Sequence, residues 1–236
     1  MMTKMFNSIL VLVLLISLLC MPVQARTVGE TVTYSATAIT DERILSNRLE
    51  RQINEYKGGE LPFVGEAVFS EDENAFVKRT QKVPTTTQHL KTIIHEDGTT
   101  EEYYVTATRA SKSASGHEEA GNLNVWAMVY WSEARDQTIL VMEYTFSKSV
   151  HYFMEDGDCG VTRLDAENYV GYNNADINDA SSTQYSPVSG RRYSLYNSYT
   201  AAISGGNGLH YEAFTYVRSS TYGTVEAYVR YRPQAA

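Results

Sequence analysis

The sequence predicts a mainly β protein, in which an antiparallel β-sandwich or jelly-roll-like body follows an N-terminal helix-containing segment. Runs that alternate apolar and polar residues recur at short intervals, and turn residues separate them. Aromatic residues, which favour strands, concentrate late in the chain, where 16 of the 18 tyrosines lie at or beyond Tyr103. Hydrophobic residues make up 43% of the chain, which is enough for a packed core. Strands spaced this closely favour a sandwich over a parallel α/β sheet.

Residues 1–25 have the pattern of a secretory signal peptide. Lys4 supplies a positive start, and an apolar run follows at residues 9–19. Val23 and Ala25 place small residues at the −3 and −1 positions, so we expect cleavage after Ala25. The run is much shorter than the roughly 20 residues that span a bilayer. The sequence therefore predicts a secreted, extracellular protein with no membrane span after cleavage.

Two further segments are expected, a strand-helix segment at 26–85 and a β-sandwich body at 86–236. In the first of them, residues 31–39 alternate as a strand does, and Asp41 is a suitable helix N-cap. Apolar residues then recur at helical spacing, namely Ile44, Leu45, Leu49, Ile53 and Tyr56. Gly58 and Gly59 are expected to end this helix, and its apolar stripe to pack on the body. The alternative is a removable prosegment that covers an active face.

The body is expected to begin after a junction at residues 84–87. Asp97-Gly98, between the runs 89–95 and 101–109, is typical of a tight hairpin. A second hairpin is predicted from residues 123–132 and 138–147, after a polar loop at 110–121. Further strands are expected at 192–203, 209–218 and 224–232.

Two of these strands differ in their alternation. In residues 123–132 both alternating sets are apolar, which predicts a central strand covered on both faces. In residues 224–232 an inward set that includes Val225 and Val229 alternates with Glu226, Tyr228 and Arg230. This second pattern predicts one wet face and a position near a sheet edge.

Charge and cysteine content exclude several classes of function. The formal net charge is −8, and loss of Lys4 with the signal peptide makes the mature chain more negative. A nucleic-acid partner would require a basic face, and anionic lipid would be repelled, so we expect neither. Cys20 also leaves with the signal peptide, so Cys159 would be alone and no internal disulfide could form.

The first candidate site is an aromatic platform for a glycan. Trp126, Tyr130 and Tyr144 fall on neighbouring predicted strands, where planar rings could stack on the apolar faces of sugars. The tyrosines between Tyr193 and Tyr228 form a second pool for such a surface. The alternative is that these rings belong to the core.

The second candidate is a pair of catalytic carboxylates, as glycoside hydrolysis requires. Glu143 has apolar neighbours, and burial would raise the pKa of such a carboxyl. Residues 140–144 resemble the nucleophile strand of jelly-roll xylanases, which implies a glycosidase with Glu143 at its centre. The second glutamate motif of those enzymes is missing, and Glu226 and Glu212 stand in other contexts. A structural Glu143, paired with an arginine or on a wet face, is the alternative.

Thiol and metal chemistry supply the remaining candidates. Asp158-Cys159-Gly160, followed by His210, resembles cell-wall peptidases of the NlpC/P60 type, which implies a thiol hydrolase. A buried, inert thiol is the alternative. Asp156, Asp158, Thr162 and Glu167 fit an EF-hand register in part, but Val161 occupies the turn position that needs glycine. A looser calcium site remains possible here or at residues 173–179, and the spacing of the histidines does not indicate zinc.

These patterns favour a non-enzymatic function. The sequence predicts a secreted binding or surface-interaction protein whose ligand is a glycan or another cell-envelope component. The alternative is a secreted hydrolase that acts on polysaccharide or on the cell envelope. We favour a binding function over a hydrolase because binding does not require a complete set of catalytic residues.

Overall fold

The computed structural model describes residues 29–70, 78–112, 123–135, 142–154, 160–172, 175–186, 199–201 and 209–231. These residues form two antiparallel six-stranded sheets packed together, which confirms the predicted mainly β, sandwich-like fold.

The strands of the first sheet are β1 (Thr31–Ser35), β4 (Thr85–Ile94), β5 (Thr100–Lys112), β6 (Leu123–Arg135), β7 (Met142–Met154) and β10 (Tyr199–Ala201). Those of the second are β2 (Phe63–Ser70), β3 (Arg79–Val83), β8 (Val161–Tyr172), β9 (Ala175–Tyr185), β11 (Leu209–Ser219) and β12 (Gly223–Tyr231). The helix α1 (Glu42–Glu50) lies between β1 and β2 in the chain. The first sheet has the order β1-β4-β5-β6-β7-β10, and the second has the order β3-β2-β12-β11-β8-β9.

The main core lies between the sheets and is joined by aromatic rings. Trp131 of β6 stacks on Tyr104 of β5, with ring centroids 4.7 Å apart. Phe63 of β2 contacts Trp131 across the interface at 5.0 Å, and it also contacts Tyr231 of β12 at 5.6 Å. The two sheets are therefore held by ring contacts as well as by aliphatic packing.

The two sheets approach each other so closely at Gly65 that this position has no room for a side chain. A Cβ at this position would lie 2.5 Å from Thr108 Oγ1 and 2.7 Å from the Val83 carbonyl oxygen. Neither distance is compatible with a real contact, so any larger residue would push β2 away from the first sheet.

The helix packs on the outer face of the first sheet and forms a second core. Asp41 is its N-cap, as predicted, and accepts hydrogen bonds from the backbone N–H groups of Arg43 and Ile44. The buried residues of this second core are Leu45, Leu49, Val105, Ala107, Trp126 and Met128. Leu45 and Leu49 of the predicted stripe therefore pack on the body, whereas Ile44 is 49% exposed. Within the described ranges, α1 is too short and too polar to cross a membrane.

The predicted end of the helix was wrong. The helix stops at Glu50, because Gln52 adopts a positive φ of 52° and turns the chain. The Ile53 N–H then bonds to the Arg48 carbonyl, and the following residues run extended beside Thr87 of β4. Gly58 and Gly59 therefore lie beyond the helix and do not cap it.

The prediction that β6 is a central, doubly covered strand is confirmed, whereas the predicted edge position of β12 is not. The first lies between β5 and β7, and it is buried on both faces. The second lies between β2 and β11, so the predicted edge position is wrong. Its inward set is buried as expected, but Glu226 and Tyr228 on the other face are only 2% and 9% exposed. The long side chains of Lys78 and Arg230 lie over these two residues, which alternation alone does not reveal.

Local predictions differ in their outcomes. The hairpin through Asp97-Gly98 is confirmed, with Gly98 at a φ of 85° between β4 and β5. Strands β6 and β7 pair antiparallel as predicted, although both are longer than expected. The predicted strand at 192–203 is described only as β10, and β8 and β9 were missed as strands. Their many Asp, Asn and Ser residues disfavour a strand prediction.

The predicted strand-helix segment contributes to both sheets. It supplies β1 to the first sheet and β2 and β3 to the second, and Pro84 separates β3 from β4 where the chain changes sheet. Phe63 and Ala67 of β2 belong to the main core. The boundary at residue 85 stays a prediction, although strands on both sides of it share that core.

Candidate ligand-binding face on the second sheet

Trp126 of the predicted aromatic platform on the first sheet is covered. Trp126 has no exposed surface, because α1 packs over it and the Glu42 side chain accepts its indole N–H at 3.3 Å. Tyr130 is partly buried beside the same second core. The structure therefore corrects the assignment of Trp126 to an open surface and places it in the core. Tyr144 lies in β7 in register with Glu133, and its side chain is outside the described part.

The carboxylates considered for catalysis lie in different sheets. Glu143 belongs to β7 of the first sheet, whereas Glu212 and Glu226 lie on the outer face of the second. Glu226 is buried, with Lys78 Nζ at 3.1 Å and the Tyr228 hydroxyl as a hydrogen-bond donor. These partners give Glu226 a structural role and leave no paired carboxylates at Glu143 and Glu226.

The thiol and calcium candidates are only partly described. Cys159, Asp156 and Asp158 lie outside the described residues, as does the side chain of His210 at the start of β11. Thr162 and Glu167 lie in β8, where an extended backbone does not form an EF-hand loop. Residues 175–179 of the other proposed loop likewise belong to β9. Where side chains are described, no three His, Cys, Asp or Glu residues come together as metal ligands.

The outer face of the second sheet carries a set of aromatic rings. In β11, Tyr211, Ala213, Thr215 and Val217 are buried, so the alternate residues point outward. We call the four outward rings Phe214, Tyr216, Tyr228 and Tyr185 the aromatic face. Phe214 stacks on Tyr228 of β12, with centroids 5.0 Å apart. Tyr185, near the end of edge strand β9, is 73% exposed.

An arginine lies over each of the three tyrosines of the aromatic face. The guanidinium of Arg230 is 4.4 Å from the centre of the Tyr228 ring. Arg218 lies 5.5 Å from Tyr216, and Arg163 lies 5.7 Å from Tyr185. Such cation–π contacts hold the rings in place and set N–H donors beside each apolar ring.

Two of the arginines are fixed by carboxylates. Arg230 donates to Glu212 at 2.7 Å and also pairs with Glu66. Arg163 donates to Asp165 at 2.9 Å, and this hydrogen bond raises the pKa of Arg163. Burial, with the hydrogen bond to Glu226, raises the pKa of Tyr228, so its hydroxyl stays protonated and acts as a donor at physiological pH. The face therefore combines flat apolar rings with well-positioned polar groups.

A polar cluster on the first sheet was missed by sequence reasoning. His89 Nε2 lies 2.5 Å from Glu102 Oε2, and the Thr92 hydroxyl donates to the same oxygen at 2.6 Å. Lys57 Nζ lies 3.2 Å from the other Glu102 oxygen. The sequence pattern that could have revealed this cluster is the period of two in β5, which places Glu102 on the same side of the strand as the core residue Tyr104.

Glu133 extends this cluster into the core. It is in register with Glu102, is fully buried, and accepts a hydrogen bond from the Tyr56 hydroxyl at 2.9 Å. Glu102 and Glu133 thus attach the segment containing Tyr56 and Lys57 to the first sheet. Their hydrogen-bond partners support a structural role better than a catalytic one.

Similarity to known proteins adds no further site. Comparison of the chain with protein-family models, with curated proteins and with solved structures found no match. A function must therefore come from the side chains themselves, because a fold alone does not imply one.

Proposed function

We propose that this chain is a secreted, extracellular binding protein that binds a glycan on the aromatic face. The signal-peptide pattern of residues 1–25 supports the location. One structural observation supports the site: Phe214, Tyr216 and Tyr185 on the outer side of the second sheet keep exposed surface, whereas Trp126 on the first sheet is covered by a helix.

The chemistry of the aromatic face suits a sugar. Each pyranose presents an apolar face of C–H groups, which a tyrosine or phenylalanine ring can cover, and a rim of hydroxyls, which need hydrogen-bond partners. The rings of Tyr216 and Tyr185 supply the first, and the adjoining Arg218 and Arg163 supply donors for the second. Because the arginines already hold these rings, little side-chain freedom is lost on binding.

The size of the face favours an extended ligand. Tyr228 and Tyr185 lie on β12 and β9, which are three strand positions apart in the sheet. At about 4.8 Å for each position, the face is roughly 14 Å wide across the strands. A surface of that width fits several units of a polysaccharide better than a single sugar.

Retention on insoluble polysaccharide tests the proposal. We expect the wild-type protein to be retained on at least one member of a polysaccharide panel, and Tyr185→Ala to weaken this retention strongly. Tyr185 is 73% exposed, so its loss should leave the stability of the fold almost unchanged. Tyr34→Ala is the matched control, because Tyr34 is also exposed, at 43%, but lies in β1 of the other sheet.

Three results would count against the proposal. Wild-type protein that no polysaccharide retains would contradict glycan binding. Equal losses in Tyr185→Ala and Tyr34→Ala would contradict the assignment to the second sheet. Release of reducing sugar that Glu143→Gln abolishes would instead support the alternative, a secreted hydrolase.

A further inference from the structure

Two arginines stand side by side at one end of the aromatic face. Arg218 of β11 and Arg163 of β8 are direct partners in the antiparallel register. Like charges at such positions repel each other, so this pairing costs stability unless something lies between them. Thr224 follows on the β12 side and Tyr185 on the β9 side, which gives the row Thr224, Arg218, Arg163 and Tyr185.

The two arginines are unequally neutralised. Arg163 Nε lies 2.7 Å from Asp165 Oδ2, and Thr183 donates to the other oxygen of that carboxylate at 2.6 Å. Arg218 Nε instead donates to the neutral hydroxyl of Tyr216 at 3.0 Å. Among the described residues, no carboxylate lies within ion-pair distance of Arg218. Within the described part of the chain, one positive charge on this row therefore has no carboxylate partner, in a protein whose net charge is −8.

We infer that the ligand of the aromatic face is an anionic polysaccharide, and that Arg218 and Arg163 bind its carboxylate or sulfate groups. This inference rests on the proposed function and specifies its ligand class. A guanidinium presents a planar fork of N–H donors that matches two oxygens of such a group. An anion between the two arginines would remove their repulsion, while the rings of Tyr216 and Tyr185 would lie against the adjoining sugars.

Charge complementarity would also fix where the polymer binds. The chain as a whole has a net charge of −8, which disfavours a polyanion elsewhere, whereas Arg218 and Arg163 place two positive charges side by side on this row. The same charge should make the affinity fall as salt concentration rises, because mobile ions screen exposed charges.

Matched pairs of polymers test the inference. Polygalacturonate and its fully methyl-esterified form share a backbone but differ in charge, and dextran sulfate and dextran form a second pair. We expect wild-type protein to bind the charged member of one pair roughly tenfold more tightly, as a charge-assisted hydrogen bond implies. Arg218→Gln should remove most of this preference and leave binding to the neutral member unchanged. The pair that shows the preference identifies carboxylate or sulfate as the recognised group.

The control is Arg43→Gln, because the Arg43 side chain is 92% exposed at the start of α1, on the first sheet. If Arg43→Gln reduced the preference for the charged polymer as much as Arg218→Gln does, the preference would reflect non-specific charge attraction, and the inference would be overturned. Equal affinity of the wild-type protein for the charged and neutral polymers would also overturn the inference. If Tyr185→Ala then lost binding to both polymers, the proposed glycan binding would still be supported. No binding to any of the four polymers, or to the wider panel, would overturn both proposals.

Discussion

The outer faces of the two sheets are built in opposite ways. On the first sheet, Trp126 and Met128 point away from the main core, and α1 covers them. On the second sheet, Phe214 and Tyr216 occupy comparable outward positions but keep part of their surface exposed. An apolar outward set thus requires a covering element, whereas an aromatic set mixed with charges can face water and remain available for a ligand.

The difference also shows what buries a charged group on an outward face. Glu226 is almost completely buried although it lies on the outward side of β12. Its carboxylate is covered by Lys78, which is itself 59% exposed in its side chain, and by the hydroxyl of Tyr228. Long side chains therefore form a thin layer over the second sheet, in place of the helix that covers the first.

The strongest test of this comparison is Trp126→Ala. We expect the free energy of unfolding to fall by about 3–5 kcal/mol, because the substitution removes a fully buried ring and leaves a cavity beneath α1. Urea denaturation followed by circular dichroism measures the change. On the second sheet, Tyr185→Ala should change stability by less than about 0.5 kcal/mol in the same experiment. Similar losses in the two variants would show that the faces do not differ as described.

A smaller effect is expected for Glu226→Ala. The substitution leaves the buried Tyr228 hydroxyl without its carboxylate acceptor and Lys78 without its counter-ion. We expect a loss of about 1–3 kcal/mol in unfolding free energy. Glu226→Gln is the matched variant, because the amide oxygen can still accept from Tyr228, so we expect a smaller loss than in Glu226→Ala. A larger loss in the Gln variant than in the Ala variant would contradict this layer of polar contacts.

Periodicity predicted the fold better than it predicted positions within it. The period of two in β6 and the N-cap at Asp41 were sufficient to place a doubly covered strand and a packed helix. The extent of the helix was not predictable, because Ile53 and Tyr56 keep the helical spacing but lie in an extended segment that bonds to β4. Tertiary pairing overrides a local pattern there.

The candidate site was predictable only in part. The tyrosine pool between Tyr193 and Tyr228 included Tyr216 and Tyr228, which face outward on the second sheet, but also the buried Tyr211 and Tyr222. Tyr185 and Arg163 were missed, because β8 and β9 were not recognised as strands and their register with β11 joins residues far apart in the chain. Contacts of that kind depend on sheet order, which alternation does not encode.

The smallest expected effect concerns the helix that distinguishes the two faces. Hydrogen bonds from the backbone N–H groups of Ile44 and Arg43 lower the pKa of Asp41 below its ordinary value of 3.8. Because the pKa is lower in the folded state, the charged cap stabilises the fold above the unfolded pKa and loses this effect as pH falls through the folded value. Asn is a comparable cap without the charge, so Asp41→Asn isolates this term. We expect the stability difference between the two proteins to be constant above about pH 5 and to shrink below about pH 4. Thermal unfolding across that range measures it, and a difference independent of pH would show that the charge on Asp41 does not contribute to holding α1 over the first sheet.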